Sequence, residues 1–477
     1  MLTVVFLVFL LAFVILLGYV LERTIMTGKE TYPLLFLICF LPFYGNSLVL
    51  SYQQVGSPVG MAIFQYSKEI VLLLALAAFI FFKRNIFFHP FHLGFLDILF
   101  LLFLGLSTAF LVLPIGTASF LNKAIYFKNI FLMCLLYFYG RNSQLSFLDI
   151  KRGLKLVLAI SVIAFSLSLF EKVTNTHIHT LIGLGKYNLE LKDKEPTGHY
   201  GLTWSFQAQD GKKRFGSIFA NPLEFAATTL LTFTIGLALL ISVPFKQNKL
   251  IYALLIGISI LNLLTAYSRA SLAAFLGMLF FMAILFRFYK LIGLGFVAVV
   301  SMILYLIYFA PKDTQYFVLD TLTFQNPSSI GHALEWFEAI DSMISSPQGI
   351  GLASSGNAGG VDVETKVGGE NQYLIYGVQL GVVGMLLYIA MLLVGIRQAL
   401  LAYRRSQKQE DRVIPLIAAS VKFGLLLPLF TSNAESYLFV SFVTWWMIGY
   451  ASTQYHHTKP LRVKSGSLVG GTHISSI

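Results

Sequence analysis

Apolar residues fall along this chain in long runs rather than in narrow periodic stripes. Runs long enough to cross a bilayer centre near 2–20, 33–51, 67–82, 93–113, 122–140, 153–170, 222–244, 250–268, 270–287, 290–310, 372–396, 413–431 and 437–453, and a membrane helix needs about 20 such residues. The pattern predicts an all-α polytopic membrane protein with 12–13 transmembrane helices. Pro33, Pro42 and Gly45 interrupt the second run, and losing that span would invert the N-terminus. The first run, Met1 to Val20, lacks a basic leader and a small-residue cleavage site, so it reads as a retained helix. Two long polar connections stand out, at about 171–221 and 311–371. In the second, Ser329 to Ser345 fits an amphipathic helix capped by Ser329 and stopped before Pro347, with His332, Trp336, Ala339 and Met343 on one face. The expected organisation is membrane helices over 1–310 with an outer loop at about 171–221, an outer loop domain over 311–371, three further membrane helices over 372–453, and a cytoplasmic tail over 454–477.

Of the 477 residues, 57% are apolar and 12% charged, about half the charged fraction of a soluble protein. The formal charge of +12 would point to nucleic acid in a soluble chain, but here the Lys and Arg residues sit in short clusters between spans. That is a topology signal, and no nucleic-acid partner is expected. Cys39 and Cys134 both fall within apolar runs, where neither is placed for a disulfide or a metal. The strongest basic cluster, Arg397, Arg404, Arg405, Lys408 and Arg412, sets its loop in the cytoplasm. Alternation then puts Arg23 and Lys29, Lys83 and Arg84, Arg141, Lys151 and Arg152, Lys246 and Lys249, Arg287 and Lys290, and Lys459, Arg462 and Lys464 on the same side. The N-terminus and both long loops are thereby expected outside.

Polar residues then collect at the outer face. Arg269 lies in AYSRASLAAF, a turn so short that the arginine must sit at the membrane boundary. A snorkelling side chain is the plain explanation; a guanidinium fork for phosphate oxygens is the functional one. In GKKRFGSIFANPLEFA, Lys212, Lys213 and Arg214 form a cationic group, and Asn221-Pro222 marks a helix start whose dipole adds positive charge. The plain alternative is a solvated basic patch followed by an ordinary cap. Asp362 and Glu364 are a weak metal signal, since no His or third acid accompanies them. Finally GGENQYLIYGVQLGVVGM sets Glu370 and Asn371 at the mouth of an apolar run, where a charge ordinarily just marks the approach to water.

The series RFGSIFANPLEFA, AYSRASLAA, SIGHALEWFEAIDSMISSPQGIGLASSG and GGENQYLIYGVQLGVVG resembles the signature of the O-antigen ligase and polymerase family, closely over about 200–400. The resemblance implies a C-type glycosyltransferase-like helical body, a donor saccharide on undecaprenyl diphosphate, and no metal or other cofactor. It also implies membrane lipid, a flippase and a chain-length regulator as partners. By position, Arg269 matches the arginine that contacts the diphosphate, and Arg214 the basic residue before the Gly and Asn-Pro pair. The ligase branch has an arginine where this chain has His332, and His-Asn where it has Glu370-Asn371. These departures point to the repeat-unit polymerase branch, acting at the outer face of a bacterial cytoplasmic membrane.

On that reading the departing diphosphate needs fixed cations, because no metal supplies charge. Arg269 is the first candidate, with Arg214 beside it and His332, when protonated, as a third; Lys213 and Trp336 are further substrate contacts. Glu370, at the edge of a low-dielectric region, is the expected general base, and Asn371 would orient it or hold a sugar hydroxyl. A ligase acting on a lipid or wall acceptor, a lipid-linked-sugar flippase or other transporter, a peptidoglycan-type polymerase and a non-enzymatic scaffold are the alternatives. A transporter predicts polar residues at mid-membrane and internal repeats; here the polar residues gather at one face.

Overall fold

The computed structural model describes residues 2–82, 93–192, 195–208, 211–242, 249–312, 315–316, 319, 323, 327–357, 359–362 and 364–458. Among them the regular elements are all helical. They are α1 (Leu2–Thr27), α2 (Thr31–Phe40), α3 (Tyr44–Val55), α4 (Pro58–Phe82), α5 (Phe95–Val112), α6 (Phe120–Arg141), α7 (Phe147–Thr174), α8 (Ile178–Leu181), α9 (Leu184–Lys192), α10 (Pro222–Ser242), α11 (Lys249–Ala266), α12 (Arg269–Leu285), α13 (Tyr289–Tyr308), α14 (Pro327–Ser345), α15 (Gln372–Arg405), α16 (Gln409–Thr431) and α17 (Leu438–Thr458). Each predicted run coincides with a helix. The interrupted second run is α2 and α3 joined by a 3-10 turn, Leu41–Phe43, so the prolines bend the span without ending it.

Nine described spans are long and apolar enough to cross a bilayer, with α2 and α3 counted as one; Arg269–Leu285 and Ile292–Tyr308 are shorter. The chain is a multi-pass membrane protein. Lys83, Arg84, Lys246, Lys459, Arg462 and Lys464 lie outside the described residues, as does most of the expected tail, whose first residues continue α17 to Thr458.

Helix ends follow their local chemistry. Ser119, Ser146 and Ser268 cap α6, α7 and α12 by accepting from Asn122 N, Asp149 N and Ser271 N, and Gly56 and Asn175 end α3 and α7 in the left-handed region. The most enclosed spans are α10 and α16. Thr228, Thr229, Thr232 and Thr234 are buried in α10 because their hydroxyls donate to carbonyls three or four residues back. Where α6 crosses α17, Gly140 lies on the Trp446 backbone and Gly449 on that of Tyr137, so a Cβ on either would collide.

Connections that alternation assigns to one end of the bundle touch one another. At one end Gln144 N donates to Glu30 Oε2 (3.0 Å), Arg141 pairs with Asp97 (3.3 Å), and Gln409 Nε2 donates to Ile241 O (2.7 Å). At the other, Gln53 Nε2 donates to Gly183 O (3.1 Å) and Asn46 Nδ2 to Ile218 O (2.9 Å).

One helix is broken. In α15 Gly381 has φ 75° and ψ 179°, and the loop that follows α14 fills the gap. Ile350 N donates to Val378 O (2.8 Å), Gly351 N to Gln379 O (3.1 Å) and Val382 N to Pro347 O (3.0 Å). The Gln379 side chain completes the dock, accepting from Ala353 N and donating to Ser355 O. Backbone groups freed by the break are thus satisfied by protein, as a low-dielectric setting demands.

Candidate functional site

The docked loop fixes α14 against α15, and the predicted face makes the contact: Ala339 is buried beside Gly368, and Met343 lies on Gly377. The described helix already includes Pro327, so Ser329, the expected cap, lies within it. This packing brings His332 to Glu370, with Nδ1 against Oε2 and both side chains about a third exposed. Asn371 is 3% exposed, and its Oδ1 caps α15 by accepting from Tyr373 N (3.0 Å) and Leu374 N (3.2 Å). The amide oxygen is committed to the helix start, which holds Glu370 one residue outside the first turn. Trp336 packs on Phe430, ring centroids 4.7 Å apart.

One turn beyond His332, Glu335 Oε1 is 3.5 Å from Lys366 Nζ, which also donates to Asn357 Oδ1 (3.3 Å). Burial pushes the Glu335 carboxyl up; Lys366 opposes this and Glu370 adds to it. Asp362 accepts from Glu364 N (3.1 Å), a local turn.

The cations gather at the neighbouring corner. Residues 207 and 213 form an isolated antiparallel bridge, and Arg214 N donates to Phe206 O (2.9 Å), so this stretch is extended. Alternation then sends Lys212 and Arg214 to one side and Lys213 to the other. Arg214 Nε donates to Tyr267 O (3.1 Å), and Lys212 lies over the Tyr267 ring at 5.6 Å. Tyr267 has φ 49°, an uncommon value for a bulky residue, in the turn that presents Arg269 as the first residue of α12. Lys213 instead donates to Asn175 O and lies 4.7 Å over Tyr200. Asn221 caps α10 by accepting from Leu223 N and Glu224 N, with Pro222 first in the helix as expected.

The two groups approach each other at Tyr437. Its hydroxyl donates to Ser432 Oγ (3.1 Å) and lies within electrostatic reach of Glu224, Glu370 and Arg214. The turn that carries Tyr437 is anchored by Glu435, whose carboxylate accepts from Tyr388, Ser441 and Trp445 and lies 3.6 Å from buried Lys422, while its N–H donates to Gln372 Oε1 (3.2 Å). Sequence reasoning passed over Glu335, Lys422, Glu435 and Tyr437. Glu335 was findable by its i+3 spacing from His332, and Lys422 as a charge inside an apolar run. Beneath the cationic stretch, His177 and His179 are buried, His177 among Tyr200, Phe206 and Phe215. Burial pushes both down to about 4, with Lys213 adding to the effect on His177.

Residues 253–389 match the Wzy_C family model, described as O-antigen ligase. The matched stretch includes Arg269, His332 and Glu370. No curated protein matches the chain.

Proposed function

We propose that this protein, working through its O-antigen ligase domain, polymerises undecaprenyl diphosphate-linked oligosaccharide repeats into a cell-surface polysaccharide at the outer face of a bacterial cytoplasmic membrane. The observation that carries the reading is the His332–Glu370 pair lying at the same end of the bundle as the Arg214–Arg269 corner. Glycan transfer from a lipid diphosphate needs a base for the acceptor and charge for the leaving group, and these two groups supply them.

In the proposed step an acceptor sugar hydroxyl attacks the anomeric carbon of the donor. A new carbon–oxygen bond forms, the bond to the diphosphate oxygen breaks, and the lipid diphosphate leaves with the electron pair. With Nδ1 against the Glu370 carboxylate, His332 takes the acceptor proton on Nε2, and the carboxylate stabilises the imidazolium that results. This reverses the order expected from sequence, in which Glu370 was the base and His332 a cation. Arg269, with its turn held by Arg214, meets the diphosphate. Lys213, turned toward Asn175 and Tyr200, belongs to the loop that supports this corner.

The test is reconstitution. Purified protein in liposomes containing lipid diphosphate-linked repeat units, extracted from cells lacking the protein, is expected to yield a ladder of products differing by one repeat. Transfer of a single repeat to a lipid or wall acceptor without a ladder would favour the ligase reading, and movement of the intact substrate across the bilayer without new bonds would favour a transporter.

A further inference from the structure

Around the Cα of Gly369, three polar side chains converge, one from α14 and two from the loop that follows it. A Cβ built there would lie 3.2 Å from Glu335 Oε2, 3.4 Å from Lys366 Nζ and 3.5 Å from Asn357 Oδ1. Asn357 Nδ2 also approaches Gly369 O at 3.5 Å. Glu335 Oε2 is itself buried and has no hydrogen-bond partner among the described residues, an arrangement that costs free energy until a donor arrives. The missing Cβ lets these side chains close on the Gly369 backbone, one residue before Glu370 and one helical turn from His332.

We infer that Glu335, Lys366 and Asn357 form the subsite that holds the acceptor sugar, and that it selects a terminal sugar without negative charge. The inference rests on the polymerase reading above. A carboxylate with a spare oxygen, an ammonium and a carboxamide suit the adjacent hydroxyls of a pyranose, which both donate and accept. Charge decides the class. Glu335 and Glu370 face this group, Glu338 is within electrostatic reach of Glu335, and among the described residues Lys366 and, when protonated, His332 oppose them. A uronic acid would bring a further carboxylate against these, whereas a neutral sugar meets no such repulsion. Holding the sugar here also sets its hydroxyl beside the base.

The experiment uses the full-length protein in liposomes, with the host's lipid-linked repeat at fixed concentration as donor. The repeat oligosaccharide freed of its lipid is the varied acceptor, as isolated and after oxidation of its primary hydroxyls to carboxylates. Wild type is expected to prefer the unoxidised acceptor by about tenfold or more, the discrimination ordinary for one misplaced charge. Glu335→Gln is expected to raise the acceptor KM by about tenfold, since a hydrogen bond to a charged group is lost, with kcat within about twofold and a narrowed preference between the two acceptors. Gly369→Ala, whose Cβ would push these three side chains aside without touching charge, is expected to raise KM for both. A purely structural role for Glu335 would change thermal stability and leave the preference between acceptors unmoved. Unchanged acceptor KM in both variants, a wild-type preference for the oxidised acceptor, or a natural repeat ending in a uronic acid would overturn the inference while leaving the polymerase reading intact. Failure of wild type to extend any acceptor would instead defeat that reading.

Discussion

Replacing Glu370 by Gln separates two roles for this carboxylate. Glutamine is nearly isosteric, and its Oε1 can still accept from His332 Nδ1–H, so the imidazole keeps its place; what disappears is the negative charge facing the imidazolium. A hydrogen bond to a charged group contributes roughly 1.5–3 kcal/mol, and each 1.36 kcal/mol is a factor of ten in rate. Both side chains are about a third exposed, so water screens part of this interaction. The expected loss in kcat is therefore about 10- to 100-fold. Had Glu370 been the proton acceptor itself, the loss would be that of a general base, about 10² to 10⁴, and His332→Ala would be the milder variant. The assay is single-turnover extension in proteoliposomes loaded with lipid-linked repeats, followed as one-repeat products by mass spectrometry. The arrangement predicts His332→Ala as the more damaging change, with donor binding kept in both. A Gln variant within threefold of wild type would remove Glu370 from the chemistry. A Gln variant worse than His332→Ala would restore the direct-base role expected from sequence.

Arg269→Lys is expected to lose about tenfold or more in extension although its charge is kept, because an ammonium cannot reproduce a forked contact to two phosphate oxygens; a fully active lysine variant would return Arg269 to snorkelling. Single cysteines at the exposed positions 201 and 365 are expected to react with a membrane-impermeant reagent in intact cells and one at 407 to be protected, and strong labelling at 407 would invert the topology. His177 and His179 titrate near pH 4 in the folded protein against 6.5 when free, so the unfolded loop binds more protons between those values. Their contribution to stability is present above pH 6.5 and is lost as pH falls toward 4; Trp204 fluorescence over this range should report loosening of the loop, and a flat response would count against it. Gly381→Ala places a Cβ within 2.6 Å of Gln348 and Pro347, and at φ 75° it adds strain of about 1–3 kcal/mol, so the melting temperature should fall.

The spans were legible because each is set by a local quantity, the length of an apolar run, and the cap at Asn221 because it needs only its own and the next few residues; Asn371, expected to orient Glu370 or hold a sugar hydroxyl, instead spends its side-chain oxygen on the start of α15. The contents of the site were legible in part. The helical period put His332, Trp336, Ala339 and Met343 on one face, but nothing local says which element that face meets or at what height. The height is set by the break at Gly381, where the loop after α14 supplies the hydrogen bonds the helix gives up. A slip of one turn there would separate His332 from Glu370, 38 positions away in sequence. Among Lys212, Lys213 and Arg214 composition could not choose; the extended backbone does, and it turns the middle residue away from Tyr267.

The site's two groups come from separate stretches of the chain, Arg214 from the extended segment before α10 and Arg269 from the start of α12, and the His332–Glu370 pair from α14 and the residue before the Asn371 cap of α15. The turn between α16 and α17 lies between them and brings Tyr437 within reach of both. Its anchor is a buried ion pair, Lys422 with Glu435, and such a pair does little for net stability because desolvation offsets the attraction. What it does is fix geometry. Glu435 has oxygens on α15, α16 and α17 partners at once, and its backbone N–H reaches Gln372, one residue past the Asn371 cap. Removing one partner would leave the other charge buried and free the turn and the start of α15 together. The placement of the His332–Glu370 pair and the cationic corner relative to each other is thereby tied to a buried charge pair, and such charges are retained where position matters.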